Sequence, residues 1–267
     1  MPELPEVEVV VRELRERLIG ERIKAIDVFW PKSLVKNGEC AEKQVIQAIR
    51  RHGKYIIIEL QSCYLVVHLR MTGQLIVTPI ARKNEKHLQV LIHLFSGKFL
   101  HFFDSRKFGR LYLTKYPEQV MQNVGMDALD EHLTSIKLQS LMAGKTTGIK
   151  SYLLDQRHIA GLGNIYIDEV LYESGIHPLT SVQNLGADEI DVLHTTIVAT
   201  LNLAVRHMGT TISDYKTVGG GFGGYQSFLH VYKKENTLCP RCNNKIVKIR
   251  VNNRGTHYCP QCQVPKK

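Results

Sequence analysis

Tyr55-Ile56-Ile57-Ile58-Glu59-Leu60 and Tyr64-Leu65-Val66-Val67-His68-Leu69 are two short runs dense in β-branched, aliphatic and aromatic residues. Runs of this length, punctuated by turns, predict strands, because branched and flat side chains pack well on a pleated surface. Reading outward, residues 87–95 and 99–103 predict two more strands, and period-two patterning extends from about residue 22 to 115. An antiparallel sheet domain follows, a two-layer sandwich. Ahead of it, Val7, Val10, Val11, Leu14 and Leu18 recur at helical spacing with charged residues between them. Pro5 suits the first turn of that helix and Gly20 its end.

Beyond about residue 118 the signals turn helical, with three- and four-residue apolar spacing over 134–142, 148–157, 164–174 and 188–208. A glycine-rich stretch follows, Val218-Gly219-Gly220-Gly221-Phe222-Gly223-Gly224-Tyr225. Its five glycines disfavour helix and strand on entropic grounds, so it reads as a mobile loop. A short strand is expected near residues 228–232. The fold class is therefore α+β in three parts: a β-sandwich with its N-terminal helix over 1–117, a helical domain over 118–231, and a cysteine module over 232–267.

That module holds Cys239-Pro240-Arg241-Cys242 and Cys259-Pro260-Gln261-Cys262, two knuckles sixteen residues apart. Four thiolates at this spacing make a closed tetrahedral site, so one structural Zn2+ on Cys239, Cys242, Cys259 and Cys262 is expected. Residues 245–251 and 256–258 read as the strands of a hairpin turning at Asn252-Asn253-Arg254-Gly255. From residue 232 onward there are nine lysines and arginines against one acid, Glu235. So basic a hairpin suits a phosphate backbone, although a solvated stability clip would carry such charge too.

The whole chain of 267 residues carries a net charge of +10. Such a surplus points to polyanionic partners, while a merely soluble cationic enzyme remains compatible with it. No stretch reaches the roughly 18 uninterrupted apolar residues of a membrane helix. The N-terminus Met1-Pro2-Glu3-Leu4-Pro5-Glu6 is acidic and lacks a secretory pattern, so a cytoplasmic protein is expected, in bacteria one of the nucleoid. Gly161-Leu162-Gly163-Asn164-Ile165-Tyr166 joins two helical patterns, with Asn164 where an N-cap belongs. A helix N-terminus accepts a phosphate, and Lys150 on the preceding helix would add a positive charge there. An ordinary connection between two helices fits this turn equally well.

Three motifs, Pro2-Glu3-Leu4-Pro5-Glu6-Val7-Glu8, Gly161-Leu162-Gly163-Asn164-Ile165-Tyr166 and Arg254-Gly255-Thr256-His257-Tyr258-Cys259-Pro260-Gln261-Cys262-Gln263, resemble the formamidopyrimidine-DNA glycosylase family in wording and order, end to end. Leu4 favours this oxidised-purine branch over the related endonuclease VIII branch, which typically has glycine there. The resemblance implies a nucleophile at Pro2, freed by removal of Met1, whose secondary amine forms a Schiff base with the damaged nucleotide. It implies Glu3 as acid/base at the sugar and Glu6 as its support. Without it, both carboxylates read as helix N-terminal residues favoured by the dipole.

The resemblance also implies that Lys54, on a hairpin, contacts the phosphate flanking the lesion and assists base removal. Met71, Arg106 and Phe108 match the family's intercalating set, which fills the hole left by an extruded base. On residue type alone, Met71 and Phe108 read as core and Lys54 as a turn lysine. Lys150, Asn164 and Arg254 complete the implied DNA contacts. The implied partner is double-stranded DNA with a damaged base, held by a monomer in a groove between its domains. Neither membrane attachment nor a redox or nucleotide cofactor is expected.

Two places depart from the family pattern. Residues 233–238 lack the glycine and proline that commonly precede the first knuckle, and the lesion-capping loop, about 217–227, is unusually glycine-rich. Lesion choice is set there, which keeps open an endonuclease VIII-like preference for oxidised pyrimidines. A silent damaged-DNA binding protein is opposed by Pro2, Glu3 and Lys54, and a general zinc-ribbon module leaves the N-terminal motif unexplained.

Overall fold

A computed structural model describes residues 1–212 and 215–266. The chain divides into two compact units, Met1–Gln122 with Val205–Gln226, and Asn123–Ala204 with Ser227–Lys267. This differs from cuts after residues 117 and 231. Residues 205–226 return to the first unit, and the cysteine module belongs with the helices.

The first unit opens with helix α1 (Leu4–Leu18). Its strands are β1 (Ile23–Val28), β2 (Leu34–Lys36), β3 (Ile46–His52), β4 (Tyr55–Leu60), β5 (Tyr64–His68), β6 (Gln74–Thr78), β7 (Leu88–Leu94), β8 (Phe99–Phe103) and β9 (Arg110–Thr114). They form one sheet ordered β1-β7-β8-β6 and another ordered β2-β9-β5-β4-β3. All pairings are antiparallel except β2 with β9. Ile56, Ile58, Leu65 and Val67 share one core with Val90, Ile92, Leu100 and Phe102, and Ile57 and Val66 between them are buried as well. Val7, Val10, Val11, Leu14 and Leu18 of α1 join it, the apolar stripe that the spacing predicts. Burying each such side chain contributes about 1.5–3 kcal/mol. A short helix α2 (Pro117–Val120) closes this part.

In the second unit a two-residue parallel pair, β10 (Met126–Asp127) and β11 (Ile159–Ala160), accompanies the helices. These are α3 (Ser135–Met142), α4 (Ile149–Leu154), α5 (Asn164–Glu173) and α6 (Ala187–Arg206), whose last residues enter the first unit. Thr134 caps α3, its hydroxyl accepting from the Lys137 amide at 3.2 Å. The unit ends in the hairpin β12 (Val247–Val251) and β13 (Arg254–Tyr258). Its turn is tighter than expected, because Arg254 and Gly255 are strand residues. Asn252 and Asn253 have φ of 47° and 59°, as a type I′ turn demands of both central residues.

One local expectation fails. Residues 228–232 are not a strand. Their backbone N–H groups at His230, Val231 and Tyr232 go to the buried Glu169 carboxylate, at 2.8, 3.0 and 2.8 Å, instead of to a neighbouring strand. The glycines of residues 219–224 lie in neither helix nor strand, as their composition predicts, and three of their amides donate to side chains. The Gly219 amide donates to Glu13 Oε2 at 2.9 Å, Gly221 to Thr217 Oγ1 at 3.1 Å, and Gly223 to Thr211 Oγ1 at 2.8 Å. A Cβ at 223 would lie 2.2 Å from the Gly209 carbonyl oxygen, so only glycine closes this loop.

Candidate functional site

The residues implicated by the N-terminal motif gather at the start of α1. Pro2 is buried, while Met1 is exposed and shares a cleft of about 450 Å³ with Arg70, Met71, Phe108, Arg110 and Tyr112. Glu3 stands at the N-cap, and its amide donates to Glu6 Oε2 at 2.8 Å, closing a capping box. The other Glu6 oxygen accepts the Thr210 amide at 2.7 Å. Both carboxylates are nearly inaccessible, so Glu6 acts as a clamp between the chain start and residues 209–210. Gly209 is required there. Its φ is +75° and a Cβ would sit 2.7 Å from Glu6 Oε1.

Lys54 occupies the two-residue turn between β3 and β4. Gly53, with φ of 55°, takes the first central position. Arg51 holds this turn to α1, its guanidinium donating to Gly53 O at 3.1 Å and Glu8 Oε2 at 3.0 Å. Lys54 is largely buried. The neighbouring His68 imidazole packs edge-on to Tyr55 at 4.5 Å and accepts the Arg70 amide at 3.0 Å. Burial, then the charges of Arg70 and Lys54, push the His68 pKa down to about 3, so it is neutral. Met71 is half-buried, whereas Arg106 and Phe108 are exposed. An apolar ring 55% exposed is no core residue, so the reading by residue type alone does not hold for Phe108.

In the second unit Lys150 departs from expectation. Its side chain is wholly buried and its ammonium donates to Asp168 Oδ1 at 2.5 Å. The other oxygen of Asp168 accepts the His257 amide at 2.9 Å and faces His257 Nδ1 at 3.1 Å. The positive charge is thus spent on joining α4, α5 and the hairpin, not presented to a surface phosphate. Asn164 also differs. Gly163 is the N-cap, Asn164 is the first helical residue, and its amide donates to Gly255 O at 2.9 Å. This brings the start of α5 beside the exposed Arg254, uniting two of the expected DNA contacts.

The Sγ atoms of Cys239, Cys242, Cys259 and Cys262 all lie within 4.8 Å of one another. Four thiolates converging without an added acid or histidine suit a closed tetrahedral Zn2+ site. The shell around them is built: Tyr172 Oη lies 3.3 Å from Cys239 Sγ, and Gln263 Oε1 accepts the Cys259 amide at 2.9 Å.

Sequence reasoning missed Asp104, Asp168 and Glu169 as organising groups. A signal existed for the last two. They lie on the apolar face of α5, between Ile165 and Tyr172, where a buried acid must have partners. Burial raises the Glu169 pKa, partly offset by its three backbone donors.

Comparison with known families matches the formamidopyrimidine-DNA glycosylase N-terminal domain over residues 1–111 and its H2TH domain over 124–216. A zinc finger found in the same enzymes and in IleRS matches 238–264. The formamidopyrimidine-DNA glycosylase of Lactiplantibacillus plantarum is 39% identical over 97% of this chain and 98% of that protein. That of Protochlamydia amoebophila is 38% identical over 98% and 99%. A Lactococcus lactis Fpg mutant in complex with Fapy-dG-containing DNA superposes with a TM-score of 0.91 at 36% identity, covering 98% of this chain and 100% of that one. The Thermus thermophilus Fpg structure gives 0.90 at 33% identity over both full lengths. The chain belongs to the formamidopyrimidine-DNA glycosylase family.

Proposed function

We propose that the protein is a base-excision repair glycosylase for oxidised purines, 8-oxoguanine and formamidopyrimidines, with AP lyase activity at the nucleophile Pro2. The observation that carries this reading is the Pro2–Glu3 pair at the head of α1, beside the cleft lined by Met1, Met71 and Phe108. Removal of Met1 turns the Pro2 nitrogen from a tertiary amide into a secondary amine next to that cleft. The amine attacks C1′, forming an N–C1′ bond as the glycosidic bond breaks and the base leaves. Glu3 gives a proton to the ring oxygen as the sugar opens to the iminium. Loss of a C2′ proton then expels the 3′ phosphate, a second elimination expels the 5′ phosphate, and water releases the sugar remnant from Pro2.

Glu6 orients Glu3, and Lys54 supplies positive charge near the reacting nucleotide. Met71 and Phe108 wedge into the stack, and Arg106 pairs with the orphaned base. Arg254 and the α5 N-terminus at Asn164 hold phosphates. Zn2+ on the four cysteines keeps the hairpin that carries Arg254 folded. No described helix is long and apolar enough to cross a membrane, and we infer that the protein works on chromosomal DNA in the bacterial nucleoid.

The test compares release of free base from duplexes carrying 8-oxoguanine, a formamidopyrimidine or an oxidised pyrimidine opposite cytosine. Preferred release of the purines supports the proposal, and preferred release of the pyrimidine replaces it with the second reading. One observation favours that second reading: a Lactococcus lactis Fpg, 35% identical, has been solved with an oxidised pyrimidine-containing DNA.

A further inference from the structure

We propose that Asp104 is the positioning residue that welds Met71, Arg106 and Phe108 into one rigid wedge. The inference rests on the reading of those three side chains as the group that enters the DNA stack. Met71 stands on the β5–β6 connection, whereas Arg106 and Phe108 stand on the β8–β9 connection, some 35 residues later in the chain. Two separate loops can act as a single wedge only if something fixes their spacing.

Asp104 supplies that link. Its carboxylate is 1% exposed, and Oδ1 accepts from the hydroxyl of Thr72, the residue after Met71. The same oxygen accepts the Arg106 amide at 3.1 Å, and that amide also lies 3.3 Å from Thr72 Oγ1. Oδ2 accepts the Gly109 amide at 2.6 Å. Both ends of the segment bearing Arg106 and Phe108 are therefore tied to one side chain, together with the neighbour of Met71. The post itself is fixed. The Asp104 amide donates to His87 O at 2.9 Å, and its carbonyl accepts Gln89 Nε2 at 3.0 Å.

The chemistry of the loops explains why an anion stands there. Arg70, Arg106 and Lys107 lie on the two connections and Arg110 begins β9, so the segments that Asp104 ties carry four cations. Arg70 and Lys107 have φ of 55° and 59°, the left-handed region that residues other than glycine and asparagine seldom enter, and Lys107 stands between the Arg106 and Gly109 amides that Asp104 holds. A buried carboxylate that accepts three hydrogen bonds holds the Lys107 turn closed, while the Arg70 amide on the other connection is held by His68 Nδ1 at 3.0 Å. Gly109 completes the closure, since a Cβ there would lie 2.5 Å from Phe102 Cζ and 3.1 Å from Asp104 Oδ2.

Asn has the shape of Asp but turns a donor toward one of the N–H groups, so Asp104→Asn loosens the loops without emptying the site. Thr72→Val removes the link between them from the other side. In the full-length, N-terminally processed protein, three readouts are compared. These are single-turnover excision from an 8-oxoguanine:cytosine duplex, fluorescence of a 2-aminopurine beside the lesion, and cleavage of a single strand carrying an abasic site, where no stack has to be opened.

Both variants are expected to slow duplex excision by about 10–100-fold, the cost of a misplaced group about 1 Å out of position. They are expected to suppress the fluorescence rise and to leave single-strand cleavage at the unmodified rate. Combining Asp104→Asn with Phe108→Ala should be no slower than the slower single variant, because both disable one device. If Phe108→Ala slows excision while Asp104→Asn and Thr72→Val do not, the inference is overturned and the wedge reading stands. If Met71→Ala, Arg106→Ala and Phe108→Ala all leave excision unchanged, the wedge reading fails and the inference falls with it. Parallel loss of single-strand cleavage in both Asp104→Asn and Thr72→Val makes Asp104 a general support of the fold, and also overturns it.

Discussion

The Thr210 amide donates to Glu6 Oε1 at 2.7 Å across 204 residues of chain. The other oxygen of the same carboxylate holds the amide of Glu3. A residue near the end of the helical region thereby fixes the position of the first residues of the chain. A nucleophile at Pro2 depends on such an arrangement, because a chain terminus otherwise frays.

Glu6→Gln should therefore loosen the terminus. An amide presents a donor to one of two buried N–H groups, and leaving such a group unsatisfied costs about 1–3 kcal/mol. Gly209→Ala should act at the same place through its left-handed φ and its close approach to Glu6. Thermal melting should show both losses. Borohydride trapping on an abasic duplex should weaken in both variants while zinc content stays at one ion per chain. An unchanged melt in both would contradict the clamp.

Lys150 and Arg254 should separate in their salt dependence. Removing one partner of a buried ion pair costs about 3–5 kcal/mol, so Lys150→Met should lower the melting temperature and leave the salt slope of duplex affinity unaltered. Arg254→Ala should reduce that slope by about one and barely change the melt. A reduced salt slope with an unaltered melt for Lys150→Met would restore Lys150 as a phosphate contact.

The buried His68 predicts an acid-side weakness. Its pKa is depressed to about 3 in the fold against 6.5 when unfolded, so the unfolded chain takes up a proton that the native state refuses. Stability from this group is complete above pH 6.5. It declines as pH falls from there toward 3, at up to about 1.4 kcal/mol per pH unit. His101 and His177 are lowered by burial as well and act in the same direction. Denaturant midpoints from pH 7.5 to 4.5 should fall, and His68→Gln should flatten part of that slope. An equally steep slope in the variant would remove His68 from this explanation.

Much of this architecture is legible from local pattern. The apolar runs at 55–60 and 64–69 announce two strands by their density in β-branched and aliphatic residues, and the cysteine knuckles announce their own closure. The turn at Asn252 and Asn253 is legible for the same reason, since its backbone demand is met by the residues in it. What escapes local reading depends on partners distant in sequence. Lys150 reads as a surface charge until Asp168 is placed beside it, and Asn164 reads as a cap until Gly255 takes its amide. Residues 228–232 read as a strand because nothing in them reveals that Glu169 takes their N–H groups. Asp104 looks like one more loop acid. Only the meeting of two turns, one carrying Thr72 and one carrying Gly109, shows what it holds.

The central claim is that the amine of Pro2 does the chemistry. The most direct measurement is borohydride trapping of the processed protein on a duplex with 8-oxoguanine opposite cytosine, followed by mass spectrometry of the adducted peptide. The account predicts one covalent adduct carried on Pro2, absent from protein that retains Met1. An adduct that persists with Met1 in place, or that maps to Lys54, would contradict it.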